Sequence, residues 1–159
     1  MARAARQFAI ITGASTGIGF ALARECAEHG FDLLIAADEP EISDAAEMLR
    51  RHGTEVMAVQ ADLTDKAGVE KLYAATGGRP VDALLANAGR GLGRAFLDQD
   101  PHEWMRVVDT NITGTLLLVQ KIARDMRRAA SGRILITGSI AGFMPGTYPS
   151  RLQWQQGIP

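Results

Sequence analysis

Three glycines fall within Thr12-Gly13-Ala14-Ser15-Thr16-Gly17-Ile18-Gly19, a turn that joins an apolar run to a helical pattern. Glycines at such a junction permit a tight turn, let the backbone approach a diphosphate and let helix and strand pack closely. A helix that starts there aims unpaired N–H groups and the positive end of its dipole at an anion. The chemistry this predicts is capture of a phosphorylated ligand. A glycine-rich loop without a ligand is the plainer alternative, and the strand-before, helix-after context weighs against it. Asp38 closes the second apolar run, where a carboxylate can accept hydrogen bonds from both hydroxyls of an adenosine ribose. Further polar groups follow: Asp62 in Ala61-Asp62-Leu63, then Asn87-Ala88-Gly89, Asn111 in Asn111-Ile112-Thr113-Gly114, and Ser139 in Thr137-Gly138-Ser139-Ile140-Ala141-Gly142. Taken singly, Asp62 also reads as a helix cap, Asn111 as a helix-breaking surface residue and Ser139 as a turn serine. His29, His52 and His102 show no ligand spacing, Trp104 reads as a packing residue, and no metal site is expected.

The elements that must position these groups are legible as alternation. Phe8–Ile11, Leu33–Ala36, Val56–Val59, Ala83–Ala86 and Ile134–Ile136 are apolar at nearly every position, as strands covered on both faces should be. Between the first two, Ile18, Ala21, Leu22 and Cys26 recur at helical spacing until His29-Gly30. A second helix is expected from near Ser43 to His52, stopped by Gly53. A third is expected over Lys66 to Ala75, capped by Asp65. The longest should run from Pro101 to Arg128, carrying Val107, Val108, Leu116, Leu117, Val119 and Ile122. Such alternation predicts an α/β fold with a doubly wound parallel sheet of about five strands.

Gly13, Gly17 and Gly19 match the Thr-Gly-x-x-x-Gly-x-Gly pattern rather than the more general G-x-G-x-x-G fingerprint. Together with Asp62, Asn87-Ala88-Gly89, Asn111 and Ser139, in that order, they give the chain a resemblance to the short-chain dehydrogenase/reductase family over approximately Gln7 through Tyr148. The resemblance implies a Rossmann-type domain over 1–148, incomplete at its C-terminal side, that binds NAD(P). It implies cofactor contacts from Gly13, Ser15, Thr16, Gly17, Ile18, Gly19, Asp38, Asp62, Leu63, Asn87, Ala88 and Gly89. Asp62 would meet the adenine ring, and Asn87-Ala88-Gly89 would support the sheet and border the cofactor. Asn111 and Ser139 resemble two members of the family's catalytic set, one holding a water in the proton relay and the other steadying the carbonyl of a small alcohol or carbonyl substrate. Arg90-Gly91-Leu92-Gly93-Arg94 would lie at the pocket rim. A methyltransferase-like nucleotide binder shares the glycine turn but gives no reason for Asn87-Ala88-Gly89, Asn111 and Ser139 together.

The cofactor expected is NAD rather than NADP. A 2′-phosphate would meet like charge at Asp38 and Glu39, and no arginine stands between Gly30 and Leu49.

In the family a tyrosine handles the proton of the reacting oxygen, and a lysine four residues later lowers its pKa and binds the nicotinamide ribose. On family spacing those residues should stand where this chain has Leu152 and Gln156. Tyr148 is no substitute, because Leu152 occupies its lysine position, and a tyrosine without a neighbouring cation keeps a pKa near about 10. The form as written is therefore expected to be an inactive oxidoreductase, with a non-catalytic dinucleotide-binding module as the alternative. The segment 149–159 has no helical apolar period and reads as an irregular tail. One back-translation of it, with its first base removed, gives Gln-Ala-Val-Tyr-Asn-Gly-Ser-Lys-Ala-Phe, with tyrosine and lysine in register with Leu152 and Gln156. A single extra base after the Tyr148 codon would account for this; a partial gene model and a truncation with its own role are the rival explanations.

Composition closes other routes. At 47% hydrophobic, 22% charged and a formal net charge of -1, the chain offers no electrostatic case for a nucleic-acid or membrane partner. The lone Cys26 cannot form an internal disulfide and reads as a small buried residue. The apolar run Phe8–Ile11 is too short for a signal core or a span, so a cytoplasmic location is expected. With the fifth strand at an open edge, homo-oligomerisation or aggregation is expected of this form.

Overall fold

A computed structural model describes residues 6–93 and 95–140 of the chain. Tyr148, the tail 149–159, Ala141-Gly142 and Arg94 lie outside the described residues. Five strands, β1 (Phe8–Thr12), β2 (Asp32–Ala37), β3 (Val56–Gln60), β4 (Ala83–Ala86) and β5 (Arg133–Ile136), form one sheet in the order β3-β2-β1-β4-β5. Every pairing is parallel, with Ile10 of β1 opposite Leu34 of β2 on one side and Leu84 of β4 on the other. The chain winds outward from β1 to β3, then returns across β1 to build β4 and β5. The reversal leaves a crevice beyond the carboxyl ends of β1 and β4, where doubly wound sheets bind ligands.

Alternation along β1 divides the interior in two. Phe8 and Ile10 join Leu34, Leu84, Val69 and Leu72 of helix α3 (Lys66–Ala74), and Leu118 and Ile122 of helix α5 (Thr115–Ala129). Ala9 and Ile11 face the other way, toward Ala23 and Ala27 of helix α1 (Gly17–Glu28) and Ile42, Ala45 and Leu49 of helix α2 (Ile42–Arg50). Both faces of the central strands are covered, and β1 and β2 are buried at every position. Asp65 caps α3 as the sequence predicts, accepting a hydrogen bond from the Gly68 N–H at 2.6 Å.

Four expectations are corrected. The buried stripe of α1 is Gly19, Ala23 and Ala27; of the expected residues, Leu22 and Cys26 pack beside it half-buried, whereas Ala21 is exposed. Small side chains bring this helix close to the strands, while Ile18 stands 64% exposed. Strand β3 is covered in part, with Val56 and Val59 buried on opposite faces but Met57 52% exposed, and β5 is exposed at all four positions. The long helix is interrupted: α4 (Pro101–Val108) passes into a π-helical turn over Asp109–Gly114 before α5 begins. Leu118, Ile122 and Met126 are the buried positions of α5, whereas Leu116 is 59% exposed. A single 3₁₀ turn at Phe96–Asp98, absent from the sequence reading, packs Phe96 near Trp104, with ring centroids 6.0 Å apart.

The amino ends of the strands are locked by charge. Asp32 is buried and pairs with Arg79 at 2.7 Å, while accepting from the Thr54 hydroxyl and the Glu55 N–H, each at 3.2 Å. Arg79 in turn lies over the Phe8 ring, 4.5 Å from its centroid. Burial disfavours the Asp32 carboxylate, but the Arg79 hydrogen bond, those from Glu55 and Thr54, and the Arg79 charge outweigh that and hold its pKa below the usual range.

Candidate functional site

The glycine turn lies between β1 and the first turn of α1. Gly17 adopts φ 58°, a left-handed conformation that suits glycine, and nothing lies within 4 Å of where its Cβ would be. Gly19 has a different duty. A Cβ there would stand 2.0 Å from the Gly13 carbonyl oxygen, so its absence lets the helix close onto the turn. The start of α1 thus faces open space with a positive dipole end.

Beyond this turn a cavity of about 360 Å³ is lined by Gly13, Ser15, Thr16, Asp38, Asp62, Leu63, Ala88 and Gly89, together with Glu39, Arg90 and Thr110. Apart from Thr110 of the π-helical turn, these residues lie at or just after the carboxyl ends of β1, β2, β3 and β4. Of the other predicted cofactor residues, Gly17 and Ile18 are exposed at the start of α1, Gly19 is buried beneath the turn, and Asn87 lies deeper, at the end of β4.

Asn87 ties three elements together. Its Nδ2 donates to the carbonyls of Thr12 and Gly13 at 3.3 and 3.4 Å, and its Oδ1 accepts from the Thr137 hydroxyl at 2.9 Å. The buried Thr12 hydroxyl accepts from the backbone N–H groups of Asn87 and Ala88, both at 3.0 Å. The end of β1, the loop after β4 and the residue after β5 are held as one unit.

A second cavity, about 280 Å³, adjoins the first and is lined by Asn87, Asn111, Thr115, Thr137 and Ser139. Both predicted catalytic residues therefore face one space. Asn111 sits in the π-helical turn, where its side chain grips the backbone of Arg90: Oδ1 accepts from the Arg90 N–H and Nδ2 donates to its carbonyl, each at 2.8 Å. Ala88, Gly89 and Arg90 line both cavities and form the wall between them.

Two arginines reach the site from distant positions: Arg90, expected only at the pocket rim, and Arg106, for which the sequence carries no such expectation. Arg90 donates to and pairs with Asp38, 52 residues away in the chain. The stretch around β2 contains no arginine, so the cation beside Asp38 comes from outside that stretch, and the expectation of NAD over NADP loses its bare carboxylate. Arg106 of α4 pairs with Asp62 at 3.2 Å. Burial works against the ionised form of Asp62, but hydrogen bonds from Thr64 and the charges of Arg106 and Arg90 prevail and keep its pKa below the usual carboxylate range. Asp62 also accepts from the Thr64 N–H at 2.9 Å, so the local turn and the cavity share it. The Thr110 hydroxyl is buried with no hydrogen-bond partner among the described residues. The loop after Gly89 divides, since Leu92 and Gly93 line a separate cavity with Asp98, Asp100 and Glu103. Among the described residues, no group of His, Cys, Asp or Glu could hold a metal ion, and no helix is long and apolar enough to cross a membrane.

The family model for short chain dehydrogenases matches residues 7–150. NADP-dependent mannitol dehydrogenase of Alternaria alternata is 35% identical over 142 residues, covering 85% of this chain and 53% of that protein. The chain thus spans about half the length of that curated relative. Among solved structures, a bulky-bulky ketone specific alcohol dehydrogenase from Comamonas testosteroni superposes with a TM-score of 0.83 at 30% identity, over 87% of this chain and 57% of that one. L-Sorbose reductase from Gluconobacter frateurii, complexed with NADPH and L-sorbose, gives a TM-score of 0.84 at 26% identity, over 91% of this chain and 56% of that one.

Proposed function

We propose that this chain, which belongs to the short chain dehydrogenase family, holds a nicotinamide adenine dinucleotide across the carboxyl ends of its strands, in a site built for exchange between alcohol and carbonyl. The observation that carries the reading is convergence: the glycine turn, Asp38, Asp62 and the Ala88-Gly89 backbone border one cavity, although they lie on four different strand ends. The diphosphate would rest on the turn, where the open side of Gly17 leaves room for it. Asp38 would receive the adenosine ribose, and Asp62 and Leu63 the adenine. The nicotinamide end would then enter the second cavity, between Asn111 and Ser139.

When bound, the dinucleotide supplies or accepts a hydride. Among the chain's own groups, the Ser139 hydroxyl would orient the reacting oxygen, and Asn111 would fix the wall beside it through Arg90. Ketone, polyol and sugar names among the relatives support a small alcohol or carbonyl compound as the substrate class. No tyrosine in the sequence has a lysine four residues on: Gly77 follows Tyr73 at that distance, and Leu152 follows Tyr148. A positioned proton donor contributes about 10²–10⁴ in rate, so the polypeptide as written binds dinucleotide without useful turnover.

Fluorescence titration of NADH and NADPH tests the first half, and saturable enhancement of nicotinamide emission is the expected result. Absence of saturation with both would overturn the binding reading. Steady consumption of either by the same sample in the presence of polyols or ketones would overturn the prediction of inactivity. Nucleotide sequencing across the Tyr148 codon tests the shifted-frame reading of 149–159, which fails if no hidden Tyr-x-x-x-Lys frame is found.

A further inference from the structure

We propose that Arg90 is the specificity-determining residue of the dinucleotide site, balancing Asp38 in the free protein and turning to the 2′-phosphate when NADP binds. The inference rests on the dinucleotide reading above and deepens it. Asp38 stands at the end of β2, and from sequence alone it faces an adenosine ribose as a bare anion. In the folded chain its carboxylate is paired with the Arg90 guanidinium, which arrives from the loop after β4. Asp62, the next acid along the cavity, is paired with Arg106. Glu39 accepts from the Ser15 hydroxyl at 2.9 Å and is the one lining carboxylate without an arginine among the described contacts.

Three features suit Arg90 to exchange partners. The pair is open to solvent, with the two side chains 40% and 34% exposed, and such pairs are weakly held. A guanidinium offers the same two-pronged geometry to a phosphate as to a carboxylate. The root of the side chain does not move freely, because Asn111 fixes both the N–H and the carbonyl of Arg90. The side chain can therefore swing between two acceptors from one anchored point. With NAD, Asp38 is shared between Arg90 and the ribose hydroxyls. With NADP, Arg90 faces the added phosphate and Asp38 loses its counter-charge. The site accepts both dinucleotides, and the balance between them is set by a residue 52 positions along the chain from Asp38.

The test is a comparison of dissociation constants for NADH and NADPH in the full chain and in Arg90→Ala, Arg90→Lys, Asp38→Asn and the Asp38→Asn/Arg90→Ala double variant, each checked for native circular dichroism. The unaltered chain should bind both forms. Arg90→Ala should weaken NADPH relative to NADH by about 10–100-fold, the range expected for losing a charge-assisted hydrogen bond. Arg90→Lys should fall between the two. Asp38→Asn should shift preference toward NADPH, and that shift should be smaller in the double variant, where no freed arginine can reach the phosphate. The Asp38→Asn arm leaves Arg90 in place and stands even if the alanine variant misfolds. An unchanged NADPH-to-NADH ratio in Arg90→Ala or Arg90→Lys, or an Asp38→Asn shift that is undiminished in the double variant, would overturn the proposal while leaving dinucleotide binding intact. If neither dinucleotide binds the unaltered chain, the functional reading falls first.

Discussion

At Gly19 a single methyl group has nowhere to go. It would press 2.0 Å from the Gly13 carbonyl and 2.6 Å from the Asn87 amide nitrogen, both held by the bridging hydrogen bonds of the strand ends. Gly19→Ala should lower stability by at least the about 1–3 kcal/mol typical of overpacking, measured by urea denaturation, and abolish saturable NADH fluorescence. Thr12 makes a subtler case, since valine preserves its shape. Its buried hydroxyl serves two backbone donors, and each one left unpaired costs about 1–3 kcal/mol. Thr12→Val should therefore destabilise the chain far more than a surface exchange, with the loss visible as a shift in the urea midpoint at constant slope. The motif Thr12–Gly19, Asp38, Asp62 and Asn87–Gly89 was legible before folding because each follows an apolar run that ends there. The pairings of Arg90 with Asp38 and of Arg106 with Asp62 were not legible, because a long flexible side chain reaches its partner through tertiary proximity that no local window contains.

Elements were legible where a face repeats, and less so where geometry slips by one residue. The π-helical turn at Asp109–Gly114 hides in the sequence because one extra residue in a turn barely disturbs an apolar pattern that is already loose. Beyond it, Leu118, Ile122 and Met126 are the buried positions of α5. Helix α1 misled for a related reason: the alanines and glycine that pack closest look neutral beside larger neighbours. Strand β5 carries its own prediction. Ile136 is 59% exposed and Ile10 is fully buried. Ile136→Lys should change stability by no more than about 0.5 kcal/mol and reduce self-association in light scattering, because charge on an edge strand opposes edge-to-edge pairing. Ile10→Ala should cost about 2–5 kcal/mol. Equal losses in the two variants would contradict the exposure of β5.

For the whole molecule, the two ends of the sheet divide the labour. The amino ends are stapled by Asp32 and Arg79, which border a cavity of about 590 Å³, and the carboxyl ends hold the two cavities that the candidate site residues line. Because folding lowers the Asp32 pKa, its ionised form is favoured in the native state. The associated stability is fully present above the unfolded value of about 3.9 and drains away as pH falls through the lower native value. Asp32→Asn should therefore flatten the acid limb of a stability-against-pH curve below about pH 4, while lowering the plateau, because Arg79 loses its partner. A limb as steep as that of the unaltered chain would assign acid sensitivity to other carboxylates. At the opposite end, Ala88, Gly89 and Arg90 are a partition with a chamber on each side. On the proposed dinucleotide reading, a tenant that draws the Arg90 side chain into one chamber would alter the wall of the other, which Ser139 also lines. Occupancy of the two rooms would then be linked, and by reciprocity whatever settles in one would alter the grip on a guest in the other by the same factor.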